Sequence, residues 1–366
     1  RPMSPRRALL LVAAVVLAMR GPARAGGPLV VATDGRAVGW DTSRPVSYVT
    51  DRGGLGLLAN AAAVAFVERL FGVWEAVPTA TIGFTRTGST ALDVNAANFG
   101  PYLGPYGGAT APGGQTAIVF DADGAIFDAL FGRGTGVLGF AGPLFLSDGT
   151  TTVPIGDPVP PGSRIVEGVA FLNGKWIDGV DAPADGNYEL SLTRFEAVFV
   201  HEFGHLSGLD HTQIHGLYGP PESDSVLRTT PVETMFPFAL DAAQATPERD
   251  DLVALSTLYP TAAFAAATGR ITGHVLTSDG VPFSGANVVA RNPFDDADAV
   301  SAVSGASGVR PGEFTLGGLL PGARYVVEVG EVDAFHADGS RLGPFAAPVP
   351  LPGPPEFYNG ADESAD

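Results

Sequence analysis

Cysteine is absent from the sequence and lysine occurs once, at Lys175. Without cysteine the chain can form no disulfide and carry no thiol-linked lipid. Its stability has to come from a buried apolar core, which a chain of this length can build. Basic residues are scarce: 21 Lys and Arg stand against 39 Asp and Glu, a net charge of -18. Nucleic acid is therefore not an expected partner, because phosphate binding needs a basic surface. Long apolar runs are missing as well. The run Ala8–Met19 is shorter than the roughly 20 residues that cross a bilayer, so no lasting membrane insertion is expected. Arg6 and Arg7 before that run, and Ala23-Arg24-Ala25 after it, have the form of a secretory signal peptide over residues 1–25. The expectation is a secreted, extracellular chain that starts at Gly26.

What is present is concentrated in eleven residues, His201-Glu202-Phe203-Gly204-His205-Leu206-Ser207-Gly208-Leu209-Asp210-His211. His201 and His205 are four apart, so on a helix they stand one turn above each other on one face. His211 would point to the opposite side of a continuing helix, at about 100° per residue. The helix has to end first, and Gly208, which can take the left-handed conformation, supplies the end. His211 can then turn back as a third ligand. Three neutral imidazoles leave the fourth position of a tetrahedral zinc ion open, as in catalytic rather than closed structural sites. Glu202, beside the first ligand, is placed to act as a base toward water.

This stretch resembles the signature of the metzincin metallopeptidases, H-E-x-x-H-x-x-G-x-x-H with a methionine turn downstream. Glu233-Thr234-Met235-Phe236-Pro237 is similar to that turn in its matrixin form. Thr212 stands where matrixins usually carry serine, and Pro237 where the astacin type carries tyrosine, so no tyrosine ligand is expected. The resemblance implies a secreted zinc endopeptidase with one catalytic zinc on His201, His205 and His211, and with Glu202 as general base. Met235 would pack beneath the ligands without a chemical role. The substrate would be an extended protein or peptide lying along an edge strand, for which Val169–Leu172 is the candidate, and residues 236–245 would select an apolar side chain. A monomer is expected. The second zinc of animal matrixins is not, since no histidine precedes His201, and the cysteine that blocks zinc in many matrixin pro-segments cannot exist here. Two other functions stay open: a non-catalytic surface-binding or adhesive protein on this scaffold, and a processing protease with a single target.

Residue patterns place this signature in an α+β domain over residues 26–260. Strands are predicted at 46–50, 80–85, 117–120 and 169–172, and the alanine-rich stretch 57–76 predicts a buried helix. Thr193 with Glu196 has the form of a capping box for the helix that carries His201. Thr246 and Pro247 open a further helix that Pro260 stops. The metzincin resemblance adds a twisted mixed sheet with three main helices. Residues 261–268 read as a linker. Short runs at 269–275, 284–290, 312–316, 318–322 and 325–329, separated by Gly and Pro, predict a small all-β sandwich over 269–331. It resembles the carboxypeptidase regulatory-like (transthyretin-like) module. Residues 332–366, rich in Pro, Gly and acid, read as a tail that opens a further, truncated module.

Two acidic turns leave a choice between calcium and plain solvation. Asp121, Asp123 and Asp128 surround Gly124, and Asp178, Asp181 and Asp185 precede the His201 helix. Hard oxygen ligands suit calcium, but neither run completes a known loop pattern. His215, His274 and His336 read as isolated side chains.

Overall fold

A computed structural model describes residues 27–181, 188–214, 232–239, 242–332 and 349–360. The expected signal peptide, Asp185, His215, His336 and much of the 332–366 tail lie outside the described residues. Strands β1 (Val30–Val31) and β2 (Ala37–Val38) form a small antiparallel pair. After β3 (Val46–Thr50) and helix α1 (Asn60–Glu75) come β4 (Phe84–Ser89), β5 (Thr116–Asp121) and the short helix α2 (Ala125–Phe131). Strands β6 (Gly139–Ser147), β7 (Thr152–Pro154) and β8 (Arg164–Asn173) then lead to helix α3 (Leu192–Leu206), which carries His201 and His205.

Six of these strands make one mixed sheet in the order β4-β3-β5-β8-β6-β7. Strands β3, β4, β5 and β8 run parallel, and β6 and β7 are antiparallel additions. Helices cover both faces, so the central strands are apolar at consecutive positions. Ile118, Phe120, Ala170 and Leu172 pack with α1 and α3, whereas Ala117, Val119, Val169 and Phe171 pack with Ile126 and Phe127 of α2. Helix α1 locks α3 in place: the Phe71 and Phe203 rings stack with centroids 4.2 Å apart, and the Trp74 indole donates to the Val200 carbonyl at 2.9 Å. A stacked pair of this kind contributes about 0.5–1.5 kcal/mol beyond its buried area.

Several expected boundaries move. The strand expected at 80–85 starts later, at Phe84, because Ala80 and Thr81 pair instead with Pro260 and Tyr259. Val169–Leu172 is not an edge. It lies inside β8, hydrogen-bonded to β5 on one side and β6 on the other. Helix α3 is capped by Ser191, whose hydroxyl accepts from the Arg194 N–H, and Thr193 is already helical. Helix α4 (Arg249–Leu258) starts after Thr246 and Pro247, with Glu248 and Asp251 in a reciprocal capping box. Residues 262–267 of the expected linker form a short helix, α5 (Ala262–Ala267).

The C-terminal region consists of β9 (Gly269–His274), β10 (Asn287–Arg291), β11 (Ala299–Val303), β12 (Glu313–Leu319), β13 (Val326–Gly330) and β14 (Glu356–Phe357). They form two antiparallel sheets, β11-β10-β13-β14 and β12-β9. The runs 312–316 and 318–322 are largely one strand, β12, with an irregularity between Leu316 and Leu319. The whole is a mixed α+β protein. Among the described residues no helix is long and apolar enough to cross a membrane.

Candidate metal centre

Helix α3 sets two imidazoles one turn apart, and its end aims the third. The last helical residue is Leu206, and Gly208 takes φ +91°, with its N–H bonded to the His205 carbonyl and the Leu209 N–H to the Gly204 carbonyl. That is the glycine-ended reversal at a helix C-terminus. A Cβ at Gly208 would also press on Ile165 Cδ1 at 3.2 Å and Leu258 Cδ2 at 3.3 Å. The carbonyls that the helix end orphans are taken up by side chains: the Trp40 indole donates to Leu206 O at 2.8 Å, and the Tyr259 hydroxyl to Ser207 O at 2.6 Å. The turn is fixed further by the N-terminal segment, where the Leu29 N–H donates to Gly208 O and the Asp210 N–H to Gly27 O.

The chain after the turn brings His211 back onto α3. Its Nε2 lies 3.2 Å from Nε2 of His205 and 3.2 Å from Nε2 of His201. Nδ1 of His201 contacts the Thr234 carbonyl at 2.7 Å, and Nδ1 of His205 contacts the Leu209 carbonyl at 2.8 Å. A carbonyl only accepts, so both Nδ1 atoms carry the proton and both Nε2 atoms present lone pairs. Burial pushes the His201 imidazole down to about 4 and the His205 imidazole down to about 3, so the rings are neutral near neutral pH. His211 Nε2 carries at most one proton and so satisfies at most one of these two lone pairs. A cation at the centre satisfies all three. Tetrahedral coordination with metal–nitrogen bonds of about 2.0–2.1 Å sets ligand nitrogens about 3.3 Å apart, close to the spacing observed. The three residues can therefore hold a metal ion, and among the described residues they are the group of metal-ligating side chains that converges in this way.

No protein-family model matches the chain, and no curated protein matches it.

Glu202 and Met235 complete the surroundings. Glu202 is 3% exposed. One side of its carboxyl receives the Ala141 N–H, while Oε2 is buried with no hydrogen-bond partner. Burial drives this carboxyl up to about 8. It shares with His201 a small pocket lined by Ala197, Val198, Phe236, Pro237 and Ala239 together with the polar Thr234 and Gln244. Met235 is buried against Gly204, in the turn of α3 between His201 and His205. A Cβ at Gly204 would run into the Met235 sulfur and come 2.9 Å from Trp74. Gly204 escaped the sequence reading: a helix-interior glycine costs roughly 1 kcal/mol against alanine, and that cost is the one local signal of the close approach.

Two adjacent carboxylates at the start of α4 hold the loops around the histidines, and their role is invisible in the sequence. Asp251 accepts from the Thr234, Met235 and Glu248 N–H groups at 2.7, 2.9 and 2.9 Å. Asp250 accepts from the Thr212 hydroxyl at 2.5 Å. Burial pushes Asp250 up to about 7 and Asp251 well above the usual carboxylate range. The Thr212 N–H donates to the Met235 carbonyl at 3.0 Å, which closes the network.

The acidic turns behave differently. One carboxylate oxygen of Asp121 accepts from the N–H groups of Ile126 and Phe127 at 2.9 and 3.0 Å. Asp123 accepts from the Ala125 N–H, and Asp128 lies 3.7 Å from the Lys175 ammonium. These side chains start helix α2 and do not converge as a ligand group. Asp178 caps its own turn through the Val180 N–H.

Proposed function

We propose that the chain is a zinc-dependent endopeptidase of the metzincin kind, matrixin-like in its methionine turn, acting outside the cell. The observation that carries the reading is the meeting of three Nε2 atoms beside the unpartnered Glu202 Oε2. His201, His205 and His211 would hold one zinc ion, for which imidazole is a fitting ligand. Bound zinc supplies a Lewis acid that polarises a carbonyl and acidifies water.

The chain's own residues do the rest. Glu202 takes the proton of the attacking water on Oε2 and passes it to the leaving amine. The carbonyls of Thr234 and Leu209 keep His201 and His205 in the tautomer that offers Nε2. Because Val169–Leu172 is interior, the docking edge moves to β6. That strand pairs β8 on one side and meets β7 only at Phe145–Ser147; Gly139–Pro143 are buried and the Ala141 N–H is held by Glu202, so an extended substrate pairing there would have to displace what covers them. The apolar wall at Phe236 and Pro237 would take an apolar side chain next to the cut.

Cleavage of an unfolded protein by the zinc-loaded chain, beside Glu202→Gln, tests the reading. Loss of the base should lower kcat/KM by about 100-fold or more, with zinc retained. Equal cleavage by both would remove Glu202 from the mechanism. No cleavage by either, with zinc bound, would favour the surface-binding alternative.

A further inference from the structure

We propose that the C-terminal β module is a built part of the metal centre, with Ser301 as a positioning residue that acts on the third ligand through Asp250 and Thr212. The inference rests on the reading of the three histidines as a metal site, and not on peptide cleavage.

Thr212, Gln213 and Ile214 follow His211 directly, and all three are buried, at 1, 2 and 0% exposure. A segment leaving a metal ligand at an open site would ordinarily meet water. Here the module covers it. Ile214 packs on Val289 of β10 and Ala299 of β11. The Asn287 amide donates to the Gln213 carbonyl at 3.3 Å. Oδ2 of Asp250 receives both the Thr212 hydroxyl and, at 2.9 Å, the Ser301 hydroxyl, while its Oδ1 receives the Ser301 N–H at 2.7 Å.

Around this polar centre the contact is apolar and close. Val253 of α4 belongs to the same core as Val288, Ala290, Val300, Leu316 and Leu319 of the module. Gly318, at φ +69°, backs onto Val253 with no room for a Cβ, and the Arg249 guanidinium donates to its carbonyl. A flexible spacer would share neither an apolar core nor a buried carboxylate with its neighbour.

The consequence follows from what a buried carboxylate needs. Asp250 satisfies Thr212 in a fixed place only while its own remaining lone pairs are satisfied. Removing the Ser301 hydroxyl leaves Asp250 short of a donor, so it shifts or takes another partner. Thr212, the residue next to His211, moves with it. The module thereby sets how well the third imidazole reaches the other two.

The test is zinc affinity of the whole chain by competition with a chromophoric chelator, with hydrogen exchange at Gln213 and Ile214 read in parallel. Loss of a partner behind a ligand usually costs about 10–100-fold in affinity, and Ser301→Ala, which acts through both Asp250 and Thr212, should cost less, about three- to tenfold. Ser301→Thr keeps the hydroxyl and should restore the affinity. Ser304→Ala removes a hydroxyl bonded only inside the module, to Phe283 O and the Ala286 N–H. It should lower thermal stability and leave affinity unchanged. Zinc affinity equal to wild type in Ser301→Ala, or equal losses in Ser301→Ala and Ser304→Ala, would overturn the proposal. Should Ser301→Ala not fold, Val289→Ala thins the contact to Ile214 and asks the same question: weaker zinc binding supports the proposal and unchanged binding overturns it. If wild type cuts no peptide, the hydrolase reading fails while the affinities still decide this one. If wild type holds no zinc, faster exchange at Gln213 and Ile214 in Ser301→Ala supports the coupling, and unchanged exchange overturns it.

Discussion

The turn from Asp121 to Asp128 and the stretch from His201 to His211 each crowd metal-ligating side chains into a few residues, and each buries a carboxyl group at its centre. Asp121 is 2% exposed and Glu202 is 3% exposed. Their surroundings differ in kind. A single Asp121 oxygen is held by two backbone N–H groups that need an acceptor, the first turn of α2. Glu202 Oε2 has no donor, and three imidazole nitrogens gather nearby, those of His201 and His205 with lone pairs inward. A buried carboxyl with its donors in place is explained by the fold. One kept bare beside converging ligands costs the fold free energy and calls for a partner from outside it.

Substitutions that cross the two regions can break this contrast. The largest effect is expected at a ligand. His205→Ala should weaken zinc binding by more than the about 10–100-fold that loss of a supporting partner costs, while Asp121→Ala leaves chelator competition unchanged. Equal losses would mean that the acidic turn is also a zinc site.

Stability should run the other way. Asp121→Ala strips the acceptor from two buried N–H groups, each worth about 1–3 kcal/mol when left unpaired, so a loss of about 2–6 kcal/mol is expected in denaturant unfolding. Glu202→Gln, measured without metal, removes a buried acid of which one oxygen lacks a donor and keeps an acceptor for the Ala141 N–H, so it should cost less than about 1 kcal/mol, or stabilise. A larger loss for Glu202→Gln than for Asp121→Ala would reverse the assignment of which carboxyl serves the fold.

The same contrast governs how much could be read from the residues alone. The histidines are legible because a spacing of four fixes a helix face and a glycine marks the end of that helix. β3, β5 and most of α1 are legible from their apolar patterns. β6 is hidden by Gly139, Gly142 and Pro143, residues that normally argue against a strand interior, and with it goes the neighbour that makes β8 an interior strand. β11, with the sequence Ala-Val-Ser-Ala-Val, is short, lacks aromatics and follows an Asp-rich turn, so it carries too little strand signal to be seen. The work of Asp250 is equally hidden. Its partners Thr212 and Ser301 lie 38 and 51 residues away in sequence, and only tertiary packing brings them to one carboxylate.

The smallest expected effect separates charge from hydrogen bonding at Asp121. Burial pushes its carboxyl up from 3.8 to about 6, against the pull of the Phe127 and Ile126 N–H groups, and the charges of Asp123 and Asp128 add to the rise. A folded-state pKa above the unfolded value means that the native chain binds the proton more tightly, so stability falls as pH rises. The contribution is complete below about 4 and lost as pH passes through about 6. Asp121→Asn keeps an acceptor for both N–H groups and cannot ionise. Its melting temperature should therefore change less than that of wild type between those two pH values, and should match or exceed wild type above the window. A variant that follows the wild-type slope would place the titration elsewhere, and would leave the hydrogen bonds to α2 as the whole of what Asp121 contributes.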